Sequence, residues 1–352
     1  LALLLPRFSP LSASITAVLL LAVLVWSVRI AFGMHLWGVW AIPALVQTPV
    51  GLGWAIGTRY FLIDRRRNKI RKAFTKYMSP HVLARLELDM MSLEPGGTIM
   101  EATIVFTDLE GFTSLSEEMN DPKALSELLT WYFTRSTTQV LENDGTILKY
   151  IGDSVFAVWG APLADSRHPQ KAARAAFHMH AASEREIQGR RLRTRVGVHT
   201  GNVLQGNLGS LQQFDYTCIG DAVNLAARME GLNKYLGTNV LVTGETHARM
   251  GDGFITRCLG DFQLAGKRNT VTAYELVGEK AHGTEPEYFE PFVRALAAYR
   301  AGDFSLAGLL FKETIARRGL PDGPSEFYLA RMAMLDNVAP QPWDPIVAME
   351  TK

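Results

Sequence analysis

Two aspartates stand in this 352-residue chain where chemistry could be done. Asp108 ends the apolar run of "IVFTDLEGFT" (104–113), and Asp153 follows 45 residues later in the Gly-Asp dipeptide of "KYIGDSVF". Brought to one edge of a sheet, two carboxylates make an oxygen-ligand site of the kind magnesium occupies, with waters and substrate phosphates completing the shell. The segment "LEGFT", Leu109 to Thr113, offers backbone N–H groups to phosphate oxygens. Taken singly, each aspartate also reads as a turn former, and Asp108 as a phospho-acceptor of the receiver type. A receiver needs an acidic pair on an earlier strand and a parallel sheet, and residues 98–103 hold only Glu101.

A second pair is Asn224 and Arg228 in "DAVNLAARME". Four residues apart on a helix, they share a face, an amide and a guanidinium aimed at one point. Such groups can hold a phosphoryl transition state, where catalysis is largely positioning plus electrostatics. On spacing alone they read as a solvated polar face, with Arg228 bridged to Glu230 or a similar group. The eight histidines form no zinc signature: His178 and His180 point to different sides of a helix, and His199 is a strand residue.

The elements that must position these groups alternate between 98 and 278. "ATIVFTD", "GTILKYI" and "SVFAVWG" read as strands, the last two joined through Gly152-Asp153, a dipeptide suited to a tight hairpin. "RTRVGVHTG", "NVLQGNLG", "FDYTCIG" and "NVLVTG" are further strands, followed by a pair ending in "VTAYELVG". Helical patterns cover 122–142, 170–186 and 221–235. The order predicts an α+β sandwich, one mainly antiparallel sheet with packed helices. "EPGG" (94–97) reads as a linker ahead of it.

The four segments "FTDLEGFTSLSE", "KYIGDSVFAVWGAP", "RVGVHTGNVLQGNLGS" and "FDYTCIGDAVNLAARME" resemble, in order, the signature blocks of class III nucleotide cyclases. The resemblance covers about 98–278 and implies an adenylate cyclase sandwich acting as a homodimer. It implies that Asp108 and Asp153, with Leu109, hold two Mg2+ or Mn2+ ions per site, and that Glu110, Gly111, Phe112 and Thr113 receive the triphosphate. Asn224 would orient the ribose and Arg228 would stabilise the α-phosphate. Lys149 and Thr217 fall at the two base-selecting positions. A lysine donor and a hydroxyl acceptor suit the ring nitrogen and amine of adenine, so ATP is expected over GTP. Lys267 would meet the terminal phosphates, although Ala265 stands where relatives often carry a second lysine, and Asn202 where some carry a basic residue. Guanylate cyclase and a non-catalytic dimerisation module are the alternatives.

Residues 1–64 differ in composition from the rest. No charge occurs from Phe8 to Val28, and "ITAVLLLAVLVW" is apolar on every helical face, long enough to cross a bilayer. A second uncharged run, 30–58, is broken by Pro43 and Pro49 and reads as a kinked span. "LALLL" reads as the end of an earlier span. The cluster Arg65, Arg66, Arg67, Lys69, Arg71 and Lys72 places the following chain in the cytoplasm of a cell membrane. Residues 65–97 read as linker helices. "LLLPRFSPL", the two spans and "RKAFTKYMSPHVLARL" resemble the bacterial cyclase subgroup with a CHASE-type sensor, a sensor this sequence does not contain. The net charge of +1 gives no reason to expect nucleic acid, and Cys218 and Cys258 imply core thiols rather than disulfides. The tail, 279–352, is helical with a tetratricopeptide-like spacing. One helix pair cannot bury both faces, so it must lean on the chain or on a protein partner.

Overall fold

The computed structural model describes residues 96–349, except 188–189, 211 and 265–268, together with Leu19, 22–23, 25–27 and 29–34. The chain forms two compact units that divide between Tyr77 and Met78. In the first, the described residues between 19 and 34 are helical, and Leu19, Val23, Val25, Trp26, Ile30 and Phe32 are all exposed. Among the described residues no helix is long and apolar enough to cross a membrane. Most of both expected spans, and the linker helices up to residue 95, lie outside the described residues.

The second unit is built on a nine-stranded sheet. In chain order its elements are β1 (Gly96–Leu109), α1 (Phe112–Met119), α2 (Pro122–Glu142), β2 (Thr146–Ile151), β3 (Ser154–Trp159) and α3 (His168–Ala182). There follow β4 (Arg185–Ile187), β5 (Arg190–Leu192), β6 (Thr194–Gly209), β7 (Phe214–Ile219), α4 (Asp221–Leu236), β8 (Val240–Thr243) and α5 (Gly244–Arg249). The chain continues through β9 (Phe254–Gln263), β10 (Val271–Glu279), α6 (Phe289–Arg300), α7 (Phe304–Arg318), α8 (Gly323–Met334) and β11 (Val347–Ala348). The strand order is β11-β9-β10-β8-β6-β1-β3-β2, with β7 also paired to β6. Only β6 with β8 and β9 with β11 run parallel; the remaining pairs are antiparallel, as the α+β reading expects and a receiver does not.

The apolar run of β1 is continuous because both its faces are covered. Val105 packs with Val140, Ala172 and Met179 on one side, and Ile104 with Val203, Ala222 and Ala226 on the other. Two strand boundaries differ from the sequence reading. Gly96 and Gly97 are not linker but strand, paired with Asn207 and Gly206; a Cβ on Gly206 would lie 2.1 Å from the Gly96 carbonyl oxygen, so the glycines are what lets the backbones meet. The two strands expected across 193–209 are one, because β1 pairs along its whole length with β6, from Thr194 to Asn207. The helix expected over 170–186 ends at Ala182, where the Ser183 hydroxyl donates to the Met179 carbonyl at 2.7 Å; Arg185–Ile187 then pairs with β5.

The tail from 279 onward shares the domain's core. Phe292, Leu296, Tyr299, Phe311 and Tyr328 pack in one cluster with Met229, Leu232 and Leu236 of α4 and Leu259 and Phe262 of β9. Beneath it, the fully buried Arg257 guanidinium donates to Glu275 at 2.6 and 3.0 Å and to both oxygens of the fully buried Asp322 at 2.9 and 3.1 Å. Burial works to raise the Asp322 carboxyl, but Arg257, Ser325 and Arg318 outweigh it and hold it below its ordinary 3.8. Its folded value being depressed, the stability it contributes is present above pH 3.8 and is lost as the pH falls through the lower, folded value. Asp322→Ala, which takes from the buried Arg257 one of its two carboxylate partners, should cost about 3 to 5 kcal/mol. Urea midpoints measured from pH 7 downward check both statements: the wild type should lose its advantage over the variant only in strong acid.

Candidate active site

The β2–β3 hairpin turns at Gly152, whose φ of 62 is left-handed, and delivers Asp153 beside the end of β1. There the Asp153 Oδ2 accepts from the Leu109 N–H at 3.1 Å, so the turn is tied to the strand that carries Asp108. The Asp153 carboxyl is raised above its ordinary value, first by burial against the opposing effect of that N–H, and then by the nearby charge of Asp108. Two neighbouring carboxylates that repel one another can be held together by a shared cation. Among the described residues no three His, Cys, Asp or Glu side chains converge as a metal cage. Two carboxylates are what an ion such as magnesium needs from a protein when water and phosphate supply its other ligands.

Arg195, which sequence reading did not single out, completes this corner. It lies opposite Asp108 in the β1–β6 register, and its Nη2 donates to Asp108 Oδ2 at 2.5 Å. Glu230 of α4 approaches the other edge, its Oε1 3.7 Å from Arg195 Nε, and neither of those two atoms has a hydrogen-bond partner. Burial, with Asp108 and Asp153 adding and Arg195 opposing, pushes Glu230 up to about 8. The signal that could have found Arg195 was an arginine opening the largely buried strand "RVGVHT", where a charge requires a partner.

The segment after Asp108 is partly helix rather than loop. Leu109 and Glu110 already give their N–H groups to Asp153 and to the Arg193 carbonyl, so neither N–H is open to phosphate. Gly111, in the left-handed region at φ 74, precedes α1, and no side chain caps that helix. The N–H groups of Phe112 and Thr113 thus stand at a helix N-terminus, an anion-receiving position next to the aspartate pair.

Lys149 of β2 donates to Asp215 Oδ2 of β7 at 2.7 Å. Thr217 is two residues along the same strand and shares its face with Asp215, which puts Lys149 and Thr217 on one side of β7. Asn224 and Arg228 share one face of α4, Asn224 exposed and Arg228 half-buried. Arg228 forms no bridge to Glu230; its Nη1 is buried without a hydrogen-bond partner. Lys267 lies outside the described residues, as do Ala265 and Arg268, while Asn202 is exposed on β6. Both cysteines are free thiols.

A carboxylate pair, an arginine and an uncapped helix start thus lie together at the C-terminal end of β1, groups of the kind that bind phosphate. Residues 96–278 match the adenylate and guanylate cyclase catalytic domain, and the chain belongs to that family. It is 39% identical over 184 residues to adenylate cyclase 1 of Rhizobium meliloti, covering 51% of this chain and 28% of that protein. To an adenylate cyclase of Anabaena cylindrica it is 30% identical over 227 residues, covering 61% and 43%. The chain thus spans less than half the length of these relatives. A bacterial light-regulated adenylyl cyclase shares the fold, with a TM-score of 0.53 and 23% identity over 61% of this chain and 64% of that one.

Proposed function

We propose that the protein converts ATP to 3′,5′-cyclic AMP and pyrophosphate at sites shared between two copies of the chain. The observation that carries this reading is the meeting of Asp108 and Asp153 beside Arg195 inside a cyclase-family domain. The ribose 3′-hydroxyl passes its proton to solvent water as its oxygen attacks the α-phosphorus, while the bond from that phosphorus to the bridging oxygen breaks and pyrophosphate leaves with that oxygen. Asp108 and Asp153, with the Leu109 carbonyl, would hold two Mg2+ or Mn2+ ions, which when bound would lower the pKa of the 3′-hydroxyl and neutralise the triphosphate. The start of α1 at Phe112 and Thr113 receives phosphate oxygens, and Arg195 adds charge to them. Asn224 orients the ribose, and Arg228 meets the charge that develops on the α-phosphate. Lys149 donates to the adenine ring nitrogen and Thr217 accepts from its amine, the pattern that favours ATP over GTP. For this, Lys149 turns from Asp215 to the base.

The aspartates come from one chain and Lys149, Thr217, Asn224 and Arg228 from its partner. Support for a second copy is the exposed apolar surface of Ile99, Tyr150, Ile151 and Ile219 on the strands that bear these residues. We place the domain in the cytoplasm behind membrane spans within residues 1–64. The uncharged runs of the sequence and the outward-facing apolar side chains between 19 and 34 support that anchoring. Asp108→Ala and Arg228→Ala chains should each lose about 99% or more of the activity alone and should recover cyclic nucleotide formation when mixed, because one of the two sites in a mixed dimer is then intact. Continued silence of a mixture shown to form mixed dimers contradicts the shared site.

A further inference from the structure

The helix that carries Asn224 and Arg228 is held on two sides. Toward the sheet, α4 lies against Gly197 of β6, where an added Cβ would be 2.1 Å from the Glu230 nitrogen and 2.4 Å from the Ala226 carbonyl oxygen. Its Leu225, Met229, Leu232 and Leu236 are buried in a second contact, the core that the strands β8 to β10 and the tail helices form together. At its C-terminal end the contact is backbone to backbone: a Cβ on Gly323 would lie 2.3 Å from the Leu236 carbonyl oxygen and 2.8 Å from the Gly237 Cα. Gly323 is the first residue of α8, and its position is fixed by Asp322, the N-cap of that helix. Asp322 accepts from Ser325 Oγ at 2.6 Å, from Arg318 at 2.6 Å and from Arg257 of β9. Two further ties hold the tail to the same strand: Tyr328 Oη donates to the Leu259 carbonyl at 2.6 Å, and β11 adds itself to the edge of β9.

We infer that the C-terminal extension is a brace that sets the position of α4, and through it of Asn224 and Arg228, with Gly323 and Asp322 as its positioning residues. The core alone would need only apolar bulk there. A backbone contact with no room for a methyl group at the end of α4, anchored to the sheet through a buried ionic network, instead fixes where that helix sits. The aspartate pair lies on β1 and the β2–β3 turn, which the tail does not form, so the brace governs one half of the site and leaves the other alone. This inference rests on the shared-site reading above.

The test uses the full chain carrying Gly323→Val, which must push α8 and α4 apart. Its homodimer should lose about 100-fold in kcat, the scale of a misplacement near 1 Å, with the KM for ATP little changed. Mixed with Asp108→Ala chains it should recover activity, since it donates intact aspartates to an intact α4. Mixed with Arg228→Ala chains it should stay inactive, since neither α4 is then competent. Wild-type kcat in the homodimer, recovery with neither chain or recovery with both would overturn the brace. The Asp108→Ala and Arg228→Ala mixture runs alongside, so failure of the shared site shows itself separately; the brace is then judged by the kcat and KM of Gly323→Val alone. Should Gly323→Val not fold, the milder Gly323→Ala and Asp322→Asn take its place in the same mixtures.

Discussion

Arg228→Ala is expected to lower kcat by about 100- to 1,000-fold, the loss that follows removal of one donor aimed at developing charge. Its KM for ATP and its thermal stability should hardly move. Among the described residues no group bonds to the buried Nη1 of Arg228 and none forms an ion pair with its guanidinium, so deleting the side chain removes an unsatisfied donor. Arg228→Lys should recover little, because a single ammonium cannot reproduce the planar fork of a guanidinium. Steady-state kinetics and a melting curve on the same preparation check the claim. A variant that loses stability along with activity would show that Arg228 holds the fold rather than the reaction.

Asp153→Asn should be more damaging still, about 1,000-fold or more, since several kcal/mol of charge stabilisation go with the ligand set. Asparagine keeps an oxygen that can accept from the Leu109 N–H, so the hairpin stays tied to β1. It also removes the charge that Asp108 repels. Stability without added metal should therefore be equal to or above that of the wild type, while the stabilisation produced by millimolar Mn2+ should disappear. Metal-dependent melting curves measure both. Undiminished Mn2+ stabilisation of Asp153→Asn would remove Asp153 from the ligand set.

Much of the site was legible because its parts are local in sequence. Asp108 at the end of an apolar strand, Asp153 in a Gly-Asp hairpin, and Asn224 and Arg228 at helical spacing are each fixed by neighbours a few residues away. Arg195 was not, because its meaning comes from a cross-strand register with Asp108 across 87 residues. Helix α1 was missed for a related reason: it follows the site loop at once, without a side-chain cap, and only the left-handed Gly111 marks its start. Gly96 and Gly97 read as linker in the sequence, yet with Gly206 they form the close-packed seam where β1 meets β6. The tail's apolar spacing announced that it needs a surface to cover. That the surface is the back of α4, secured by Asp322 and Arg257 across 65 residues, is a tertiary fact no local pattern carries.

The central claim is tested most directly by the products formed when the full chain meets ATP or GTP with Mg2+ or Mn2+, resolved by chromatography and mass. The expected result is 3′,5′-cyclic AMP with one equivalent of pyrophosphate from ATP, and far less cyclic GMP from GTP. No cyclic nucleotide from either substrate, at concentrations where the chain dimerises, would contradict the enzyme reading, and a preference for GTP would contradict the roles given to Lys149 and Thr217.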